Sequence, residues 1–339
     1  MTKGFFMRFS SLYLNLMATI FFYERNLQKG KYLGNKYRYE LTDMLMDVER
    51  KGTLSVLTAM FLAGLNVYLL KIGTIYIPQI PFVSVVLTLA GLILLVISVF
   101  SKRELLLLQG RTYFFKLIWM GVVGTSIPVV MVTYGVSLSM ISNSFLLQTE
   151  CIYSMFLSYI FLRERITKRQ IFLTILSFIG ITLILTNGVI RSINIGDVLF
   201  LIAPLFYQLG HVVAKGVLKK ADAIIVVTYR FLIAGLMLLP VSMVLGLNPL
   251  SEFSRHSEAI LIAFYASLRY SFGNYLWYYG VKCINLSKAT SILIAYPMIS
   301  AILGVFIVGE ALSAVKIIGI SLVFFSTLEL SRIRSVLRE

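Results

Sequence analysis

The sequence predicts an all-α, polytopic membrane protein whose ten transmembrane helices form two inverted repeats of five helices. Three observations support this fold class: the composition, ten separate apolar runs and an internal repeat. Of the 339 residues, 58% are hydrophobic and 14% are charged, whereas about a quarter of the residues in a soluble domain are charged. The composition therefore indicates that the chain is embedded in a lipid bilayer.

Ten apolar runs are each long enough to cross the hydrocarbon core, which is about 30 Å thick. Proline pairs, Asn-Gly and Asn-Pro dipeptides and short charged segments separate the runs, as is typical of turns between helices. The predicted spans are residues 53–72, 80–100, 114–135, 141–162, 170–188, 196–215, 223–246, 258–281, 286–308 and 314–331.

Positive charge is distributed unequally between the two sides of the predicted bundle. Most of the 31 Lys and Arg residues precede the first span or lie in connections on the same side. The opposite side carries only Arg191, Arg255 and Lys316. Because positively charged connections stay in the cytoplasm, we expect both ends of the core to be cytoplasmic and the protein to reside in the cell membrane. The net charge of +16 is thus a topology signal, and we expect no nucleic-acid partner.

The residues outside the predicted core are interpreted separately. The apolar stretch from Phe9 to Tyr23 is short for a transmembrane span, and no small-residue cleavage site follows it. We therefore interpret residues 1–52 as a cytoplasmic or interfacial leader that is poorly ordered. Residues 332–339 are expected to form a short basic cytoplasmic tail.

An internal repeat relates the two halves of the core. Residues 143–185 resemble residues 288–330, and Glu164 matches Glu310 at an offset of 146 positions. Lys71 near the end of the first span matches Lys215 near the end of the sixth span. A steady offset indicates duplication, here of residues 53–188 and 196–331. Because five spans is an odd number, the second copy must insert upside down, as in many secondary transporters.

Several segments resemble the EamA-type repeat of the drug/metabolite transporter superfamily. They are FLRERIT and VGEAL in two matched loops, AGLNVYLLKIG in the first span, YRFLIAGLMLL in the seventh and LWYYGVK in the eighth. The resemblance covers residues 53–331, with two departures: Cys151 stands where the other half has Pro297, and the second span has no counterpart of Arg230. It implies a transporter of small organic metabolites, without indicating which one.

The combined prediction is a gradient-driven exporter of a small organic metabolite, such as an amino acid, that works by alternating access around a midplane cavity. Protons are the candidate coupling ion, and the oligomeric state stays open. Nucleotide-sugar or lipid-linked cargo, and a non-transporting membrane scaffold, are the alternatives. The chain has two histidines, no HExxH motif, no paired acidic ligands and no P-loop, so we expect no enzyme activity, metal or cofactor.

Glu150 is the first candidate for the transport site, because it is the only acidic residue deep in a predicted span. Placing an ionisable group at this depth costs several kcal/mol, so it requires a partner or a proton. Asn143 precedes Glu150 at helical spacing, which predicts a polar stripe on the fourth span. The alternative is a structural ion pair or a neutral packed acid.

Further candidates lie on the sixth and eighth spans. Gln208 and His211 share one helical face, where they would bind cargo, relay protons or make ordinary interhelical hydrogen bonds. Arg269 lies near the middle of the eighth span and requires an acceptor, for which Glu150 or a carboxylate or phosphate of the substrate is available. Tyr270 and Asn274 follow at helical spacing and are expected to line a cavity. The hypothesis is therefore that Glu150, Gln208, His211 and Arg269 face one central site, whereas Arg230 is interpreted as structural.

Overall fold

The computed structural model describes residues 35–100, 111–139, 141–190, 192, 194–308 and 313–335. The chain divides into two units, Met1–Val48 and Glu49–Glu339. The second unit is a bundle of helices, and its described residues contain no β-sheet.

The first repeat contains helices α1 to α5. Helix α3 is continuous but includes a π-helical turn at Val122–Ser126, and helix α4 begins as a 3₁₀-helix, α4a, before it continues as an α-helix, α4b. The bounds are α1 Asn35–Tyr76, α2 Gln79–Phe100, α3 Arg111–Leu138, α4a Ile141–Thr149, α4b Glu150–Phe161 and α5 Lys168–Thr186.

The second repeat contains helices α6 to α10, and a short helix, Pro249–Arg255, connects α7 to α8. Helix α9 is interrupted at residues 294 and 295, which separate α9a from α9b. The bounds are α6 Ile195–Leu218, α7 Ala223–Val244, α8 Glu258–Cys283, α9a Leu286–Leu293, α9b Tyr296–Val308 and α10 Ala314–Arg332.

The helices agree with the ten predicted spans, and the all-α inverted-repeat fold is confirmed. Eight of them are long and apolar enough to cross a membrane by length and composition alone. The other two are the fourth span, which the change from α4a to α4b interrupts, and α8, which carries Arg269, Asn274 and several tyrosines. In both spans the departure from a regular apolar helix lies at residues that the sequence predicts to be functional, Glu150 in the fourth span and Arg269 and Asn274 in α8.

The first helix extends beyond the predicted first span on its N-terminal side. Helix α1 begins at Asn35 rather than near residue 53. The intervening residues contain no proline, and the glycine at position 52 packs within the helix against Cys283 of α8. The apolar stretch from Phe9 to Tyr23 and residues 336–339 of the tail lie outside the described residues.

Matched caps begin the last helix of each repeat. The Thr167 hydroxyl accepts a hydrogen bond from the backbone N–H of Gln170 at 3.1 Å, and the Ser313 hydroxyl accepts one from Lys316 at 3.2 Å. Each cap satisfies one of the backbone donors that an α-helix leaves unpaired at its start. Their spacing of 146 positions is the repeat offset, so the same local chemistry starts α5 and α10.

Glycines bring neighbouring helices into close contact. In the contact between α3 and α6, a Cβ atom built on Gly210 would lie 2.5 Å from the Cα atom of Gly124. In the contact between α5 and α10, Gly180 and Gly319 face each other's carbonyl oxygens. Small residues at helix contacts are typical of membrane proteins, because packing rather than water exclusion drives helix association in lipid.

The larger of two apolar clusters includes the end of the bundle where α6 ends, α7 begins, α8 ends and α9a begins, and a smaller cluster, which includes Ile77, Phe82 and Ala263, lies at the other end. We call the first of these ends the closed end; its fully buried residues include Val217, Leu218, Val226, Val281 and Leu286. We call the other end, where α1 meets α2 and α3 meets α4, the open end.

Candidate functional site

A cavity of about 250 Å³ lies between the two repeats, on the side of the open end. Seven helices contribute to its wall: α1, α2, α3, α4, α6, α8 and α9. The lining residues are Leu70, Gln79, Val83, Val129, Val132, Leu147, Gln148, Glu150, Pro204, Tyr207, Tyr270 and Tyr296.

Glu150 lies at the base of this site, as the first residue of α4b. Its Oε1 atom accepts a hydrogen bond from Nε2 of Gln208 at 2.7 Å. Among the described residues, no donor is bonded to its Oε2 atom. The side chain is 20% exposed, and since it lines the cavity, that exposure is to the cavity. One oxygen of the Glu150 carboxylate is therefore hydrogen-bonded to the protein, and the other is left for the cavity.

Gln208 and His211 both contact Glu150, as the sequence predicts for the sixth span. Nε2 of His211 lies 3.8 Å from Oε1 of Glu150. Around Nδ1 of His211 lie the hydroxyl of Tyr278 at 3.1 Å, a guanidinium nitrogen of Arg230 at 3.3 Å and Nε1 of Trp277 at 3.5 Å. Arginine and tryptophan can only donate, so Nδ1 is the acceptor. We infer that His211 is neutral, with its hydrogen on Nε2 directed toward Glu150.

Arg230, rather than Arg269, is the arginine of this network. Its Nε donates to the Thr125 hydroxyl at 2.7 Å and its NH2 to the Gly124 carbonyl at 2.6 Å. Its NH1 contacts the hydroxyl of Tyr278. These partners hold α7 to the π-helical turn of α3 and to α8, and Arg230 is 4% exposed. It lies behind His211 and does not line the cavity.

Arg269 bonds to α1 and is not among the described residues that line the cavity with Glu150, so the prediction that the two face one central site is wrong. Its Nε donates to Oδ1 of Asn66 at 2.7 Å and its NH1 to the Leu62 carbonyl. The guanidinium also lies 4.9 Å from the centre of the Tyr270 ring. Two carbonyl oxygens on α1 thus accept hydrogen bonds from the arginine, so it has acceptors without a carboxylate.

Asn143 and Asn274 do not join the site. Asn143 donates to Oδ2 of Asp197 at 3.0 Å, so it ties the start of α4 to the start of α6. The predicted stripe assumed 3.6 residues per turn, but α4a is a 3₁₀-helix with 3.0 residues per turn, and its side chains therefore rotate off the face of Glu150. Asn274 donates to the Tyr270 carbonyl within α8 at 3.1 Å.

Tyr270 lines the cavity as predicted, and two further tyrosines join it. Tyr207 lies one residue before Gln208, and Tyr296 is the first residue of α9b. The Tyr296 hydroxyl accepts a hydrogen bond from Nε2 of Gln148 at 3.1 Å. Sequence reasoning missed Tyr207, Tyr296 and Gln148. The repeat carried a signal for Tyr296, since the offset that pairs Glu164 with Glu310 also pairs Glu150 with Tyr296.

Polar contacts hold the closed end together. Glu164, which is fully buried, accepts hydrogen bonds from the backbone N–H groups of Leu286 at 2.6 Å and Ser287 at 3.0 Å, and from the Ser287 hydroxyl at 2.6 Å. The Lys215 amine donates to the carbonyls of Val281 and Ile284, where α8 ends. Thus a carboxylate from the first repeat caps the start of α9a, and an amine from α6 caps the end of α8.

The described residues contain no group of three or more His, Cys, Asp or Glu side chains that could hold a metal ion. The two cysteines, Cys151 and Cys283, are free thiols. The chemistry that the cavity offers is therefore one carboxylate, amide groups and phenolic rings around a small apolar volume.

Similar proteins place this arrangement in a family. An uncharacterized transporter of Archaeoglobus fulgidus is 25% identical over 270 residues, which is 77% of this chain and 91% of that protein. The uncharacterized transporter YyaM of Bacillus subtilis is 28% identical over 182 residues, and one from Methanothermobacter thermautotrophicus is 22% identical over 214 residues. The matches span 59% and 62% of the lengths of these last two relatives.

A solved crystal structure has the same fold. It superposes with a TM-score of 0.70 at 14% sequence identity, over 83% of this chain and 98% of that chain. The sequence profile of the EamA-like transporter family matches residues 50–186 and 194–332, once for each repeat. Together with the helical repeats around a shared cavity, this double match shows that the chain belongs to the EamA-like transporter family.

Proposed function

We propose that this protein is a secondary transporter that exports a small organic metabolite across the cell membrane by alternating access. The observation that carries the proposal is the cavity itself: it lies between the two repeats, on the side of the open end, and holds Glu150. A small-metabolite cargo, of which an amino acid is one example, suits its volume of about 250 Å³. The proposed orientation places the closed end in the cytoplasm, because positive charge is concentrated there in the sequence.

In the proposed cycle, the two repeats exchange conformations around the cavity. The contacts of Glu164 and Lys215 at the closed end break, and equivalent helices of the other repeat close the open end. Because Glu150 lies beside the interruptions of α4 and α9, a ligand on its carboxylate contacts the segments that must move. Cargo or proton binding at Glu150 would bias the equilibrium between the two states.

The same cavity disfavours the alternative of nucleotide-sugar cargo. Phosphate groups are bound in proteins by arginine, lysine or clustered backbone donors. Among the described residues, the cavity wall contains no lysine or arginine.

The test is transport by the purified protein in liposomes with an imposed pH gradient. Glu150→Gln keeps the size and hydrogen bonding of the side chain but removes its charge and its proton. We expect this variant to fold and to lose transport, or to lose the pH dependence of transport. Glu252→Gln is the matched control, because Glu252 pairs with Arg255 at 3.3 Å on the short helix before α8. Unchanged flux and pH dependence in Glu150→Gln would refute the proposed role.

A further inference from the structure

The charge around the cavity is unbalanced in one direction. Glu150 is the single carboxylate on the wall, and among the described lining residues there is no lysine, arginine or histidine. The two nearby arginines are engaged elsewhere, Arg230 with Gly124 and Thr125 and Arg269 with α1. A ligand in this cavity therefore meets a carboxylate and no opposing cation on the wall.

Two acceptor atoms, one on Gln208 and one on Glu150, also have no hydrogen-bond donor among the described residues. Gln208 is fully buried, and its Oε1 atom has no partner among the described residues. Its Nε2 is bonded to Oε1 of Glu150, and Oε2 of Glu150 has no described donor. A buried acceptor without a donor costs roughly 1–3 kcal/mol. Of these two atoms, only the Glu150 carboxylate belongs to the described wall of the cavity, so a ligand that fills the cavity is expected to carry N–H or O–H donors for it.

The rest of the wall fits a flat apolar body. Tyr207, Tyr270 and Tyr296 supply aromatic surface, and Val83, Val129 and Val132 supply aliphatic surface. Aromatic rings attract cations through their faces. Since Arg269 already lies over the ring of Tyr270, we assign any further cation–π contact to Tyr207 and Tyr296. The volume of about 250 Å³ is below the range of roughly 300–1,000 Å³ for drug-sized ligands.

We propose that the cavity binds a small protonated primary or secondary amine with a flat apolar body, whose ammonium group donates to Glu150 Oε2. The proposal rests on the transport function proposed above and specifies its cargo. A carboxylate on the cargo has no described cationic partner on the cavity wall, so an amine is favoured over the amino acid of the same size. An acid is disfavoured by repulsion from the ionised carboxylate of Glu150.

The test compares ligands of equal shape and different charge by calorimetric titration of the wild-type protein in lipid nanodiscs at neutral pH. The probes are phenethylamine, 2-phenylethanol, phenylalanine and phenylacetate. We expect phenethylamine to bind roughly 10-fold or more tightly than 2-phenylethanol, as for a charge-assisted contact. Phenylalanine should bind more weakly than phenethylamine, and phenylacetate should not bind.

Two variants complete the test. Glu150→Gln should reduce the preference for phenethylamine over 2-phenylethanol by roughly 10-fold, whereas Glu252→Gln should keep it. Equal or tighter binding of phenylacetate or phenylalanine to the wild type would overturn the amine proposal, and so would an undiminished preference in Glu150→Gln. If Glu150→Gln does not fold, the comparison of ligands on the wild type decides alone.

A transport assay distinguishes failure of the amine proposal from failure of the transport function on which it rests. Flux of an anionic or neutral metabolite into liposomes, with no competition from phenethylamine, would overturn the amine proposal and leave the transport function standing. Phenethylamine binding without flux of any tested compound would contradict the transport function and support the ligand assignment.

Discussion

Glu150 and Tyr296 occupy the same position in the two repeats, 146 residues apart, and both line the same cavity. Each is the first residue of the α-helix that follows an interruption, in α4 for Glu150 and in α9 for Tyr296. The duplicated scaffold therefore presents a carboxylate from one half and a phenol from the other. In the proposed alternating-access cycle, this difference would make the two states chemically distinct even though the helices are related by an inverted repeat.

The contact between α3 and α6 predicts a sharp difference between two glycines of the same helix. Gly210→Ala would place a methyl group 2.5 Å from the Cα atom of Gly124, whereas a Cβ atom at Gly216 meets nothing within 4 Å. We expect Gly210→Ala to destabilise the protein by about 1–3 kcal/mol through overpacking. Gly216→Ala should be neutral or stabilising by up to about 1 kcal/mol. Thermal unfolding of both variants in one detergent measures the difference, and equal melting temperatures would contradict the close approach.

Arg230 is expected to be irreplaceable even by lysine. Its planar guanidinium reaches Thr125, Gly124 and Tyr278 at once, and a lysine amine lacks this fork of donors. Arg230→Lys should lower stability by about 1–3 kcal/mol, because buried acceptors lose their donors. Arg169→Lys is the control, since the Arg169 side chain is 63% exposed. A wild-type melting temperature for Arg230→Lys would show that charge alone suffices at this position.

The cap of α9a predicts how the closed end opens. Glu164 accepts three hydrogen bonds at Leu286 and Ser287, and Glu164→Gln would replace one acceptor oxygen by a donor group. The lost contacts correspond to roughly 1–3 kcal/mol, so the population of the opened form should rise about 10- to 100-fold. We expect faster alkylation of Cys283, at the end of α8, measured in a Cys151→Ser background that leaves one thiol.

The same labelling experiment has an internal control. Glu252→Gln in the same background should label at the wild-type rate, because Glu252 lies on the short helix before α8 and pairs only with Arg255 among the described residues. An unchanged rate in Glu164→Gln would show that this cap does not limit opening.

The proposed orientation predicts which loops a membrane-impermeant thiol reagent reaches. A cysteine at Arg165, between α4 and α5, should react only after the membrane is permeabilised, and so should one at Lys219, between α6 and α7. A cysteine at Ser251, on the opposite side of the bundle, should react in intact cells. The physical reason is that Lys and Arg are concentrated in the α4–α5 and α6–α7 connections, and positively charged connections stay in the cytoplasm. Labelling of Arg165→Cys from outside intact cells would reverse the proposed orientation.

The amino-acid sequence determined the fold class, the ten helices and their repeat, because each depends on local or periodic information. A run of apolar residues long enough to span the bilayer forms a helix regardless of its neighbours, since lipid offers backbone groups no other hydrogen-bond partner. The matched caps at Thr167 and Ser313 likewise follow from residues close in sequence. Gln208 and His211 lie beside Glu150, since regular helical spacing holds along α6, but neither is among the described residues that line the cavity.

Tertiary structure alone decided which polar groups meet. The sequence offered Glu150 or a substrate anion as the acceptor for Arg269, yet oxygens of α1 accept its hydrogen bonds, and Arg230 lies beside His211 instead. Asn143 does not face the site, because α4a winds as a 3₁₀-helix rather than an α-helix. Helix rotation and the partner at each contact depend on packing across the whole bundle, where an acceptor on any neighbouring backbone competes with a carboxylate. Charge shows which side chains need a partner, and only the packed helices determine which one they have.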